Sequence, residues 1–185
     1  MRDDELRGTE PSDLELVRRG RTGDDSALGM LAKRHHAAAY RVALSLVGKD
    51  DLAQDVVQDA FLKAFRALVG FRADASFRTW LLTITANEAK GALRRAGRRR
   101  ETALDDAVPV TSDEPDPAEA AVVADEASRA RSMLERLPEK QRLSVTLRIE
   151  EGLSFREIGE VIGSSEGAAR VNYFHGIRRL RELME

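Results

Sequence analysis

The sequence predicts an all-α fold made of two small helical units. Apolar residues recur at i, i+3, i+4 and i+7 through most of the chain, and no stretch alternates apolar and polar residues as a half-buried strand would. Ser, Asp and Gly fall at intervals that suit helix caps and stops. Between the two patterned parts lies a segment, 101–126, with acidic residues, three prolines and no basic residue.

The chain of 185 residues is long enough for one ordinary domain or two small ones, and its hydrophobic share of 42% is normal for a globular protein. A formal net charge of −2 conceals segregated basic and acidic runs. Cysteine is absent, which excludes disulfides, cysteine zinc sites and thiol catalysis. The opening MRDDELRGTEPSD lacks the apolar core of a signal peptide, and no run approaches a membrane span. A cytoplasmic location is the default expectation.

Residues 1–10 are expected to be disordered. Ser12 and Glu15 have capping-box spacing and open a short helix that stops near Gly20 to Gly23. Asp24, Asp25 or Ser26 caps a longer helix ending at Gly48, with Leu28, Leu31, Ala38, Val42 and Leu46 as its stripe. His35 and His36 point about 100° apart and have no third ligand nearby, so they are expected to be structural or surface residues and not a metal site.

Asp50 or Asp51 is expected to cap the next helix, and Gly70 to end it. Leu52, Val56, Val57, Ala60, Phe61, Ala64, Phe65 and Leu68 fall on one side; Asp55, Gln58, Asp59 and Arg66 fall on the other. A loop, Phe71 to Ala75, leads to Ser76 as the cap of a helix with Trp80 near its start. Along it Thr83, Asn87, Lys90 and Arg94 form one polar ridge. Lys90, Arg94, Arg95, Arg98, Arg99 and Arg100 follow with no acid before Glu101, a local charge that attracts phosphate.

The segment 101–126 reads as a linker, because low hydrophobicity with one sign of charge cannot offset ordering entropy. Beyond it, Pro138 suits the first turn of a helix from Glu139 to Glu150, closed by Gly152. Ser154 and Glu157 form a second capping box; that helix ends at Gly163, and Ser164 or Ser165 caps the last one. A short helix, a tight turn and another helix is helix-turn-helix spacing. On the last helix Ala169, Tyr173, Ile177, Leu180 and Met184 share the expected core face. Arg170, Val171, Asn172, His175, Arg178 and Arg179 lie on the flank and opposite face. Arg and His there suit phosphates or guanine edges, Asn adenine, and Val a thymine methyl.

The stretches DDLAQDVVQDAFLKAFRAL and FRADASFRTWL, with the helix through Asn87 into RRAGRRR, resemble region 2 of extracytoplasmic-function sigma factors, and the last part of the chain resembles their region 4. The resemblance spans almost the whole chain. It implies a region 2 unit over 11–100, a linker over 101–126 and a region 4 unit over 127–185. It implies a non-enzymatic subunit, without cofactor or metal, that directs core RNA polymerase (β′ and β subunits) to promoter DNA. Asp55, Gln58 and Asp59 match the face that docks on the β′ coiled coil. Phe71 and its loop, with Asn87, match the elements that capture an unpaired −10 base. Trp80 would contact the melted junction or, equally, hold loop to helix. Lys90, Arg94 and Arg95 would hold duplex phosphates, and the last helix would read the −35 element. An anti-sigma factor is a further partner by family habit. The linker is either a solvated tether or an acidic occupant of a nucleic-acid channel.

Two departures stand out. Arg170-Val171-Asn172 replaces a more basic run, so no −35 preference transfers, and Gln54 stands where a Glu is usual. A stand-alone helix-turn-helix regulator would leave the Asp55–Gln58–Asp59 face and the Phe71 loop unexplained. A nuclease-type enzyme would need a carboxylate cluster or a phosphate-cradling glycine loop, and neither pattern occurs.

Overall fold

The computed structural model describes residues 10–102 and 129–184. In chain order these form α1 (Asp13–Arg21), α2 (Asp25–Val47), α3 (Asp50–Arg66), a 3-10 turn (Leu68–Gly70) and α4 (Phe77–Thr102). A helical segment over 129–135, α5, leads to α6 (Glu139–Ile149), α7 (Phe155–Ile162) and α8 (Glu166–Met184). The described residues are all-α, without a strand. The expected disordered start and most of the expected linker lie outside the described residues; α4 continues to Thr102.

Side chains and turns at the ends set the helix lengths. Ser12 accepts from the Glu15 N–H at 3.3 Å, Asp24 from Ala27 at 3.1 Å and Ser76 from Thr79 at 3.0 Å. Gly48 ends α2 at φ 69°, a conformation that glycine adopts without a Cβ clash. In the second unit Ser154 and Glu157 cap each other reciprocally, and Ser165 accepts from the Ala168 N–H at 3.2 Å.

The first unit packs α2, α3 and α4 against one another, with α1 laid on α2. Leu16, Leu31, Val42, Val56, Phe77, Leu81 and Leu82 are fully enclosed, and each such side chain contributes about 1.5–3 kcal/mol by leaving water. The second unit closes α6, α7 and α8 around Leu143, Leu147, Ile158, Val161, Ile162 and Ala169.

Several expectations need correction. Asp50 is the first residue of α3 rather than its cap, and its carboxylate instead accepts from the Tyr40 hydroxyl. That helix stops at Arg66, because Leu68 turns inward through a 3-10 turn; Gly70 lies outside the left-handed region. Pro138 precedes the first turn of α6. On α8 Ala169 and Gly176 are buried and Tyr173, Ile177 and Leu180 half-buried, while Met184 is 73% exposed.

The two units are also not merely tethered. α7 packs on α4 and α6 on α2, and the enclosed apolar side chains of both units form one continuous cluster. No helix among the described residues is long and apolar enough to cross a membrane.

Candidate nucleic-acid interface

Asp55, Gln58 and Asp59 are all exposed on the outer face of α3, beside Leu62, while Val56, Val57 and Ala60 fill the inner face. The amphipathic period of the sequence places both sets correctly. The result is a small acidic and amide surface with an apolar edge, left uncovered by the packing of the two units.

The loop after α3 is shaped by aromatic contacts. Phe71 is only 5% exposed; its ring centroid lies 4.9 Å from that of Trp80 and 6.0 Å from that of Phe77. Phe71 is therefore a buried wedge in this arrangement, and the accessible aromatic surface belongs to the half-buried Trp80. Trp80 holds the loop to the helix through its contact with Phe71, and with residues 70–75 it lines a cavity of about 430 Å³. Arg21, which no sequence signal singled out, donates from Nε to the Leu68 carbonyl at 3.0 Å and from Nη2 to the Phe71 carbonyl. Ala73 holds φ 60°, an unusual value for a residue with a Cβ.

Asn87 is exposed but does not line this cavity. It stands seven residues beyond Trp80 on α4, roughly 10 Å along the helix axis. Arg94 and Arg95 are exposed on the same helix, and half-buried Lys90 is paired with Glu139 of the second unit at 3.2 Å. The basic ridge is thus formed as the periodicity predicts, with one of its cations already holding an anion.

In the second unit, Gly163 at φ 65° makes the turn between α7 and α8. Val171, His175, Arg178 and Arg179 are exposed on α8, and the last three line a cavity of about 230 Å³ with Gln141 and Glu182. Arg170 is engaged locally: it pairs with Glu166 at 2.9 Å, and its guanidinium lies 5.0 Å from the Phe155 ring centre. Asn172 donates its amide to the Ala168 carbonyl at 2.8 Å, so it is turned back onto its own helix.

Between the units lies a cluster of ion pairs that the sequence analysis missed, because it joins residues far apart in the chain with no shared periodicity. The side chain of Glu151 has no exposed surface. Arg41 Nε donates to its Oε1 at 2.6 Å, and Arg78 Nη2 donates to its Oε2. Burial opposes ionisation of Glu151, but the hydrogen bonds from Arg41 and Arg78 outweigh it and hold the carboxyl below the usual glutamate range. Thr79 donates to Glu157 Oε1 at 3.2 Å nearby.

Comparison with known proteins follows this geometry unit by unit. Residues 31–99 match the family described as Sigma-70 region 2, and residues 128–180 match Sigma-70, region 4. The RNA polymerase sigma-H factor of Pseudomonas aeruginosa is 34% identical, covering 96% of this chain and 94% of its own. The ECF RNA polymerase sigma-E factor of Escherichia coli K12 is also 34% identical, over 94% of this chain and 93% of its own. Among solved structures, CnrH in complex with the cytosolic domain of CnrY gives a TM-score of 0.70 at 28% identity, covering 93% of this chain and 96% of that one. The sigma factor RpoE of Bartonella quintana, in complex with the anti-sigma factor NepR, gives 0.71 at 26% identity, over 84% and 95%. Both family matches fall on the two helical units in order, and the chain belongs to the extracytoplasmic-function group of the sigma-70 family of RNA polymerase sigma factors.

Proposed function

We propose that this chain binds core RNA polymerase through Asp55, Gln58 and Asp59 and carries it to promoters that it reads at two separate elements. In this reading residues 11–100 form the unit that meets polymerase and the −10 element, and residues 127–185 form the unit that meets the −35 element, joined by 101–126. The cavity beside Trp80 receives an unpaired base, since a flipped base needs an aromatic surface and polar groups at its edge. Asn87, Lys90, Arg94 and Arg95 hold the adjoining strand. Val171, His175, Arg178 and Arg179 of α8 enter a major groove, with Arg170 and Asn172 at its margin. Linking two weak readers raises the effective concentration of each, so neither need bind tightly alone.

The observation that carries this reading is the pairing of an uncovered Asp55–Gln58–Asp59 face with two nucleic-acid faces on two units that match regions 2 and 4. We place the protein in the cytoplasm, with the polymerase. An anti-sigma partner is proposed on the likeness to CnrH and RpoE, each solved bound to one partner of that sort or to a partner's cytosolic domain.

The test is a titration against core RNA polymerase, with the Asp55→Ala/Gln58→Ala/Asp59→Ala variant run in parallel after circular dichroism shows it folded. Tight binding by the wild type and clear weakening in the variant are expected. Equal binding by both would remove α3 from the polymerase contact, and no binding by either would remove the sigma reading.

A further inference from the structure

Glu151 belongs to the second unit, yet both of its carboxylate oxygens are held by arginines of the first. The same polarity recurs around it. Glu150 lies 3.6 Å from Arg41 Nε, Glu139 lies 3.2 Å from Lys90 Nζ, and Glu157 accepts from Thr79. A pair of opposite sense across this seam, Arg131 with Asp50 at 3.7 Å, lies at the solvent-exposed rim. Acids of the second unit thus face cations of the first, and one of those cations, Lys90, stands on the ridge that the proposed function gives to the DNA strand.

Two arginines converging on two oxygens of one anion is the geometry that also grips a phosphodiester, because the guanidinium fork fits carboxylate and phosphate alike. Arg78 sits in the first turn of α4, the helix whose later turns carry Lys90 and Arg94, about 200° around it from Trp80 and outside the lining of the cavity there. We propose that Arg41 and Arg78 form a phosphate-binding pair for promoter DNA, and that Glu151 occupies it while the two units are closed on each other. This rests on the reading of α4 as the DNA-facing helix.

The exposures fit an exchange rather than a permanent structural bridge. The Arg41 and Arg78 side chains keep 41% and 33% of their surface in contact with solvent, so both can be rehydrated or handed to a new anion. Only Glu151 is wholly dry, and removing one partner of such a contact leaves the other uncompensated. Replacing the carboxylate by a phosphate keeps the arginines paired and lets Glu151 return to water. DNA and the closed arrangement therefore compete for the same two side chains.

The test uses the full chain, with a short fluorescein-labelled single-stranded DNA as probe and the radius of gyration from small-angle scattering as the measure of closure. Glu151→Gln keeps the shape and removes the charge. It is expected to expand the chain and to tighten probe binding roughly tenfold, because a larger fraction is then competent to bind. Adding Arg41→Gln and Arg78→Gln to that variant is expected to leave it expanded and to abolish the gain. An unexpanded Glu151→Gln variant, an expanded one with wild-type affinity, or a triple variant that keeps the gain would each overturn the proposal. Wild-type protein needs no substitution for the complementary measurement: saturating probe is expected to expand it, and an unchanged radius would overturn the proposal too. Polymerase binding separates this from the parent reading. Failure of the exchange leaves core-polymerase binding intact, whereas failure of the sigma reading removes that binding from wild type and variants together.

Discussion

Arg21, the last residue of α1, donates a hydrogen bond from Nε to the carbonyl oxygen of Leu68 at 3.0 Å, 47 residues along the chain. Through Nη2 it also reaches the Phe71 carbonyl, so one side chain ties two backbone acceptors at the root of the loop that leads to α4. Both carbonyls stand past the end of α3, and that of Leu68 also accepts from the Phe71 N–H at 3.2 Å within the 3-10 turn. Arg21→Ala is expected to lower stability by about 1–2 kcal/mol, the scale of a charged donor lost from a partly exposed site. Because Trp80 is the only tryptophan in the chain and packs on Phe71, its emission reports the loop directly. Increased acrylamide quenching of Trp80 in folded Arg21→Ala protein is the expected result; unchanged quenching would mean that the aromatic contacts suffice.

Two residues beyond Phe71, Ala73 holds φ 60°. A left-handed conformation costs a residue with a Cβ about 1–2 kcal/mol, and glycine escapes that cost while losing more chain entropy on folding. Ala73→Gly is therefore expected to be neutral or to raise stability by up to about 1 kcal/mol, and Ala73→Val to lower it. Urea denaturation of the two variants checks both signs.

Glycines elsewhere separate into opposite cases by what a Cβ would meet. At Gly159 in α7 it would lie 2.8 Å from the Ser164 carbonyl oxygen, backbone of the helix-turn-helix turn that cannot swing aside. Gly159→Ala is expected to cost about 1–3 kcal/mol by overpacking and to weaken −35 binding. Gly29, exposed on α2, has nothing within 4 Å, so Gly29→Ala is expected to stabilise by about 1 kcal/mol. Thermal melts of the pair, side by side, give the contrast.

These residues show where sequence reasoning reaches and where it stops. The inner and outer faces of α3 and the caps at Ser12, Asp24, Ser76 and Ser154 are local: period and side-chain chemistry within a few residues decide them. Arg21, Ala73 and Gly159 act through contacts made by folding, and nothing in FRADA announces that its alanine is left-handed. The closure through Arg41, Arg78 and Glu151 is less legible still, since in the sequence Arg41 and Arg78 are ordinary charges on helices and Glu151 an ordinary charge in the turn after α6. Even on α8 the pattern is only partly right: Ala169 is buried and Tyr173, Ile177 and Leu180 are half-buried, but Met184 is exposed and Gly176, which has no side chain to count, is buried. Its closeness to Val145 decides the packing instead.

Acid should release the two seams in a fixed order. His35 is buried against Asp13 Oδ2 at 2.8 Å, joining α1 to α2, with Arg34 and Arg78 also facing it. Burial pulls its pKa below the ordinary 6.5, against the attraction of Asp13. A group with a depressed folded value stabilises above its unfolded value, so this contribution fades as pH falls below about 6.5. Glu151, faced by Arg41, Arg78 and Glu150, is depressed from 4.5, so its support for closure is full above that value and lost as pH falls through the lower one. Stability to urea is expected to decline first, and the radius of gyration to rise only in the more acidic range. An expansion that began near neutrality would assign closure to a group other than Glu151.

On α8 the exposed cations and the turned-back amide make different demands of DNA. Arg178 and Arg179 line an open cavity beside His175, with only Glu182 as a nearby acid in its wall. If each holds one phosphate, Arg178→Ala/Arg179→Ala should weaken −35 duplex binding about equally across sequences and reduce the salt slope by roughly 2, since each phosphate neutralised contributes about 0.9. Asn172 must first give up its bond to the Ala168 carbonyl before it can pair with an adenine edge. The loss of that helix contact offsets most of what a new hydrogen bond would add, so Asn172→Ala should change affinity by less than about threefold and leave the salt slope untouched. Anisotropy titrations of the full chain across a salt series measure both. A sequence-selective loss in Asn172→Ala would instead mean that the amide turns outward in the groove and reads a base there.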